Sequence, residues 1–372
     1  MSFGRIFGIE IGVNWSWLVA VALIVWTLAV AIFPETNPGF SDGTYIAMAV
    51  SAAVLFFAAL LLHELGHALQ ARREGMQIEG ITLWLFGGVA RFSGSFPSAG
   101  TEFRVAAAGP LVSLVLGLAA TGVAWAISSP EPVDAVAAWL GYINLTLLAF
   151  NLLPAVPLDG GRILHAALWQ ASGDSAKATR QGTRVSRVFA FLFVGLGVFL
   201  VINGNVFSGV WMAFIGWFLL QAATAEDRYA LVGETLGGLR VRDLMVRDPV
   251  TVTPGMTLGQ FMDEVAWSRR YTTYPVVDDG RPVGLLAFRG VTQVPRWDWD
   301  RRTVGDCMIP LDRVPQLEED EPAVDALAEL SEEGVHRGLV LDDGRLAGLL
   351  SITDLARALE VRAPRRAAAA GS

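Results

Sequence analysis

Residues 53–70 read AVLFFAALLLHELGHALQ, an apolar run that carries His63, Glu64 and His67 on its last turns. On a helix turning about 100° per residue, positions four apart share a face. His63 and His67 can therefore reach one ion, and Glu64 between them can take a proton from water held there. On a soluble helix such histidines would ordinarily be satisfied surface or core residues. In a segment long enough to cross the roughly 30 Å hydrocarbon core of a bilayer they are costly, and an ionisable residue there marks function. One stretch thus points both to a membrane fold and to a hydrolytic metal site of the metalloprotease kind.

Outward from it, six apolar segments of spanning length are found, at about 12–33, 45–70, 103–128, 135–156, 185–203 and 205–224. The 372 residues are 53% hydrophobic, with a mean hydropathy of +0.46, too apolar for an ordinary soluble protein. The apolarity is uneven: residues 1–225 carry 11 acidic and 10 basic side chains, residues 226–372 carry 25 and 18. The net charge of −8 therefore belongs to the second half, and no block of Lys/Arg with interleaved aromatics suggests nucleic acid. Cys307 is the single cysteine, which excludes a disulfide framework or a cysteine zinc cluster within one chain. A bound metal would need His and carboxylate ligands. Lys177 is the one lysine among 28 basic residues, and Ala and Gly abound, a composition of GC-rich bacterial genomes that points to a bacterial cell membrane. The first apolar stretch lacks a small-residue cleavage site and reads as a retained span.

Loop charges orient the bundle. The loops at 34–44 and 129–134 hold acidic residues and no basic one, whereas 71–104 holds Arg72, Arg73, Arg91 and Arg104, and 157–187 holds Arg162, Lys177, Arg180, Arg184 and Arg187. Both termini are expected on the cytoplasmic side, and the second and fourth spans both run inward. Asn203-Gly204-Asn205 predicts a tight turn between the last two spans.

Two histidines leave a zinc ion one protein ligand short, with a further position kept for water. Asp159 is the candidate, in NLLPAVPLDGG (151–161) at the end of the fourth span. Pro154 and Pro157 break the helix there, and irregular backbone is tolerated only where protein or a cavity receives it. The competing readings are a helix cap at Asp159 and His165 as the third ligand. Between the second and third spans, IEGITLWLFGGVARFSGSF (78–96) predicts a β-hairpin at the membrane surface, a plain surface loop being the alternative.

HELGH in one span followed by NLLPAVPLDGG in a later one resembles the site-2 protease family of intramembrane metalloproteases, over about residues 1–225. The resemblance implies that His63, His67 and Asp159 ligate Zn2+ and that Glu64 is general base and acid. It implies that Asn151 helps stabilise the tetrahedral intermediate and that the strand region around Gly87 and Gly88 pairs with an unwound substrate. It further implies a membrane-tethered protein as substrate, such as a transcription factor, pro-sigma factor or anti-sigma factor. Gly109-Pro110 resembles a recurrent turn of the family, and plain helix packing reads it equally well.

After a linker at 226–240 come two related units, 241–295 and 303–361. Each reads as a short helix, a strand, an amphipathic helix, two strands joined by Asp-Gly, and a final helix. They resemble a tandem pair of CBS domains, which implies an adenine nucleotide as ligand and a regulatory role. Ser351-Ile352-Thr353-Asp354 in the second unit matches the pattern in which Thr353 and Asp354 contact ribose-phosphate. Ala287-Phe288-Arg289-Gly290 in the first departs from it, so at most one ordinary nucleotide site is expected. A structural module that pairs the chain as a homodimer is the alternative. Residues 362–372 read as a disordered tail. The expected fold is a polytopic α-helical membrane protein of about six transmembrane helices with a membrane-associated β-hairpin, plus a soluble α/β CBS pair. Against a protease stand a non-proteolytic metal-binding protein or transporter, and a nucleotide-sensing scaffold. A transporter has no need of a base beside its ligands, and a scaffold leaves the intramembrane His, Glu and Asp unexplained.

Overall fold

The structure, a computed structural model, describes residues 2–84, 87–92, 96–126, 131–269, 271–332 and 335–369. It divides into two units, Met1–Arg228 and Tyr229–Ser372.

Among the described residues six helical stretches are long and apolar enough to cross a membrane, the last of them running beyond Arg228. The first, Trp15–Thr36, comprises α1 (Trp15–Thr27), one π-helical turn and α2 (Phe33–Thr36). The others are α3 (Asp42–Arg73), α4 (Ala99–Ala126), α5 (Glu131–Asn151), α7 (Ser175–Ile202) and α8 (Val206–Leu236). A shorter helix, α6 (Asp159–Ser172), stands between α5 and α7. Helix starts are capped by side-chain oxygens that satisfy first-turn amides: Asn14 accepts from the Ser16 amide, Ser41 from Thr44, Asp174 from Lys177. The expected turn after α7 places Gly204 at φ +86°, a backbone that favours glycine. Large apolar side chains such as Leu18, Trp26, Leu118, Phe191 and Phe199 stand exposed on these helices. Hydrocarbon, not water, is the solvent that such surfaces suit.

The hairpin expected over 78–96 forms β3 (Ile78–Trp84) and β4 (Gly87–Phe92), paired antiparallel; 85–86 and 93–95 lie outside the described residues. It is half of a four-stranded sheet of order β1-β2-β3-β4, completed by β1 (Ser2–Ile6) and β2 (Ile9–Val13). The two N-terminal strands were not expected. Their signal is local: Ile9, Ile11 and Val13 alternate onto a buried face, and Ile9 and Ile11 cluster with Leu65, Ala68 and Ile81. The sheet is thereby seated on α3 beside the HELGH turns.

The segment expected as a linker is largely helical, because α8 continues to Leu236 and stops where Gly237 and Gly238 follow. In the second unit the Asp-Gly turns fall where expected, with Asp279/Gly280 and Asp343/Gly344 all at positive φ. They join β6 (Thr273–Asp278) to β7 (Arg281–Ala287) and β10 (Arg337–Asp342) to β11 (Arg345–Ser351). The repeats exchange short strands: β5 (Val246–Arg247) of the first pairs with β11, and β8 (Ile309–Pro310) of the second pairs with β7. With β9 (Gln316–Glu318) beside β10, the sheets are β5-β11-β10-β9 and β6-β7-β8. The last helix runs from Ile352 to Ala369 and so extends into the segment read as a tail, 362–372.

Candidate metal centre

α3 carries His63 and His67 one turn apart, both buried, and their Nε2 atoms lie 3.2 Å from each other. Asp159 completes a triangle, with Oδ2 3.2 Å from His63 Nε2 and Oδ1 3.2 Å from His67 Nε2. It is the first residue of α6, so the helix break between Asn151 and Asp159 delivers the carboxylate. This is the one group of three or more potential ligands among the described residues. His165, the rival third ligand, points elsewhere: its Nδ1 is 2.7 Å from Glu102 Oε2.

The donor set fits zinc. Ligands at about 2.0–2.1 Å in a tetrahedron stand about 3.3 Å apart, close to the spacings found. The tautomers agree as well. His67 Nδ1 faces the Val105 carbonyl at 2.7 Å, and a carbonyl only accepts, so the proton is on Nδ1 and Nε2 presents a lone pair. His63 Nδ1 lies 2.9 Å from Ser113 Oγ, a hydroxyl that can accept from Nδ1–H and is thus compatible with a free Nε2. With both rings in that tautomer, two nitrogen lone pairs stand 3.2 Å apart, an arrangement that a cation between them relieves. Partners on the far ring nitrogen also fix ring orientation at metal sites.

One face of α4 backs the site. Glu102, Val105, Gly109 and Ser113 are spaced three, four and four apart, so they line up along the helix. A Cβ at Gly109 would stand 2.2 Å from His67 Nε2 and 2.7 Å from His63 Nε2. Glycine there is what lets both imidazoles lie against the helix. Gly66 has the same role from the α3 side, since a Cβ would meet Val112 Cγ2 at 2.9 Å. Below Asp159, Gly160 and Gly161 sit under the carbonyls of Leu152, Leu153 and Ala155, where any side chain would collide at under 3 Å. Ser186 of α7 holds the same irregular segment by accepting from the Val156 amide at 2.9 Å.

Glu64 faces the sheet. A Cβ at Gly88 would come within 2.3 Å of its Cγ, so β4 lies directly on the carboxylate side chain. β4 is also an edge strand, and no strand pairs with its outer side among the described residues. Gly87, at φ +139°, opens that strand. Asn151 is the half-buried last residue of α5. In the second unit, Thr353 is exposed at the start of the final helix, while Asp354 Oδ2 accepts from the Ser351 amide at 3.1 Å. The structure brings together the three side chains read from the sequence as candidate ligands, with Glu64 on the same helical turn, whereas Val105, Ser113 and Glu102 were not singled out. A backbone carbonyl leaves no mark on a sequence; the spacing of Ser113 and Glu102 around Gly109 was the available signal.

The sequence profile of Peptidase family M50 matches residues 51–137 and 126–195, and that of the CBS domain matches 241–294 and 304–361. Rip3 of Mycobacterium tuberculosis, a protein named for zinc metalloprotease activity, is 38% identical over 96% of this chain and 92% of its own length. A zinc metalloprotease of Methanocaldococcus jannaschii is 30% identical over 83% of this chain and 84% of its own. Among solved structures, a site-2 protease from the same archaeon is 26% identical over 61% of this chain and 95% of its own, with a TM-score of 0.41.

Proposed function

Because the chain belongs to peptidase family M50, the site-2 type of zinc metalloprotease, and carries a tandem CBS pair, we propose that it cleaves a peptide bond in or near a transmembrane segment of a membrane-tethered protein. The observation that carries the reading is the 3.2 Å triangle of His63, His67 and Asp159 with Glu64 on the same helical turn. Those three residues would hold the zinc. When bound, zinc lowers the pKa of water to about 7 and polarises the scissile carbonyl. Glu64 accepts the proton of the attacking water at its carboxylate and returns it to the leaving nitrogen. Asn151 donates from its amide to the oxyanion of the tetrahedral intermediate.

A helical substrate has its peptide groups bonded internally and must unwind before it is cut. Adding the unwound segment as a strand on the open edge of β4 replaces the lost hydrogen bonds, and brings it beside Glu64. Gly87 and Gly88 leave room for that approach. Transcription factors, pro-sigma factors and anti-sigma factors held at a membrane have the required architecture. The loop charges favour both termini and the CBS pair on the cytoplasmic side, and the Lys-poor, Ala- and Gly-rich composition favours a bacterial cell membrane. The CBS pair binds an adenine nucleotide through Thr353 and Asp354, and regulates the protease or pairs two chains as a homodimer.

Glu64→Gln is the test. The variant should keep about one zinc per chain while hydrolysis of a membrane-embedded reporter falls by roughly 10²–10⁴. Loss of zinc from the variant, or undiminished cleavage, would overturn the role given to Glu64. Titration of the full chain with ATP and AMP checks the nucleotide reading, which a lack of binding at millimolar concentration would sink.

A further inference from the structure

Glu102 and His165 are a buried and a half-buried titratable group that the hydrolytic chemistry does not use. Glu102 lies on the α4 face that also carries Val105, Gly109 and Ser113. His165 lies on α6, six residues after Asp159, and α4 and α6 are packed together. Its Nδ1 is 2.7 Å from Glu102 Oε2, and Arg162, also on α6, approaches Glu102 Oε1 at 3.9 Å. Its Nε2 is 3.2 Å from the Ser175 carbonyl and 3.0 Å from Thr179 Oγ1 on α7.

The protonation state follows from the partners. Thr179 spends its hydroxyl proton on the Ser175 carbonyl at 3.0 Å, so toward His165 it can only accept. Both ring nitrogens therefore face oxygen acceptors, and the ring is held as the imidazolium. Burial works against that cation, but the hydrogen bond to Glu102 and its charge, with the Ser175 carbonyl and, least, Glu226 on α8, outweigh it, so His165 titrates above its ordinary value. The side chains around it are thus Glu102 from α4, Trp169 from its own helix, Thr179 from α7 and Glu226 from α8, with Arg162 on the far oxygen of Glu102.

We propose that Glu102 and His165 are positioning residues that lock α6 to α4, keeping Asp159 in register with His63 and His67, and that the lock loosens when His165 loses its second proton. This rests on the reading of those three residues as zinc ligands. The sign of the pH effect is diagnostic. A raised histidine value means that the lock is complete at lower pH and is lost as pH rises through it. The ligand imidazoles behave oppositely, since they must be unprotonated to bind metal. Zinc release that accelerates on the alkaline side is therefore a signature of the lock.

The experiment uses the full chain in nanodiscs, comparing wild type with His165→Leu, His165→Asn and Thr179→Val. The readouts are zinc release to a chelator across pH, and hydrogen exchange of 159–172 in zinc-free protein. His165→Leu should release zinc roughly ten- to a hundredfold faster, without the alkaline limb. His165→Asn, which places an amide N–H where Nδ1 was, should recover part of the hold and also lack the limb. Thr179→Val should stay near wild type. Wild-type release in His165→Leu overturns the proposal, as does equal damage from all three variants. Zinc-free wild type, or zinc kept in Asp159→Ala, would sink the ligand reading instead. Exchange in α6 then decides the lock alone: protection lost at alkaline pH in wild type but pH-independent in His165→Asn supports it, and unchanged protection overturns it.

Discussion

In the membrane half, each buried polar side chain at the site is bonded to a group on another element: His63 to Ser113, His67 to the Val105 carbonyl, Glu102 to His165, and Ser186 to the Val156 amide. In the second unit two of the core clusters are built from Leu236, Leu317, Leu330, Val340 and Leu350, and from Phe261, Tyr274, Val276, Leu286 and Val304, and a third from Leu285, Val314 and Leu339. Its ion pairs, such as Arg242 with Asp320, lie out on the surface. A bilayer gives polar groups no solvent to turn to, so the first half is fixed by specific partners and by glycines that admit them. The second is held by apolar area removed from water. Changes of a few atoms should therefore strike function first in one half and stability first in the other.

The largest effect is expected at Gly109. Gly109→Val places a side chain where the two Nε2 atoms lie, so zinc affinity should fall by about a hundredfold or more, with the chain still helical and membrane-inserted. Zinc content and circular dichroism check it. A zinc-replete Gly109→Val protein would break the contrast, because the glycine would then be a packing choice unrelated to the metal. Next is Leu330→Ala, which removes a fully buried side chain from a CBS core and should cost about 2–5 kcal/mol. Calorimetry of the full chain should show the loss, with zinc content unchanged. A smaller change is expected from Thr353→Val. Thr353 is exposed, so the fold should be indifferent, while loss of one hydrogen bond should weaken adenine-nucleotide binding by about tenfold. Arg289→Ala in the first repeat should leave the affinity alone, and a drop there would move the site to the other repeat.

How far the sequence disclosed this contrast depends on the range of the signal. Hydropathy is local, and all six spans were legible. His63, Glu64 and His67 were legible because such residues are costly in a span, and Asp159 because prolines break the helix ahead of it. The strands Ser2–Ile6 and Ile9–Val13 were masked by the apolar span that follows, although their alternation was present. β5 and β8 could not be placed, since two-residue strands carry no information about which repeat they join. The backing face of α4 was hidden for a related reason. Glu102 and Ser113 read as ordinary polar residues at the end and middle of a span until α3 and α6 are laid beside them. Pairwise fit between helices decides that face, and fit has no period.

The smallest expected effect tests the same contrast at the water boundary, where the two halves should behave alike. Glu74, just past the end of α3, takes a forked pair of hydrogen bonds from Arg104 at 2.7 and 2.6 Å, with Gln70 and Thr101 adding to it. The Arg104 bonds hold its carboxyl down to about 2. A depressed carboxylate contributes stability above its unfolded value near 4.5, and loses it as pH falls toward the folded one. Solvent screens such a surface pair, so the contribution is small. Glu74→Gln should lower the melting temperature of the membrane half slightly at neutral pH, and the gap from wild type should close between about pH 4.5 and 2. A gap that stays constant through that window would mean that Glu74 acts by shape rather than charge. The link between α3 and the backing helix α4 would then belong with the glycine contacts of the interior rather than with the solvated pairs of the second unit.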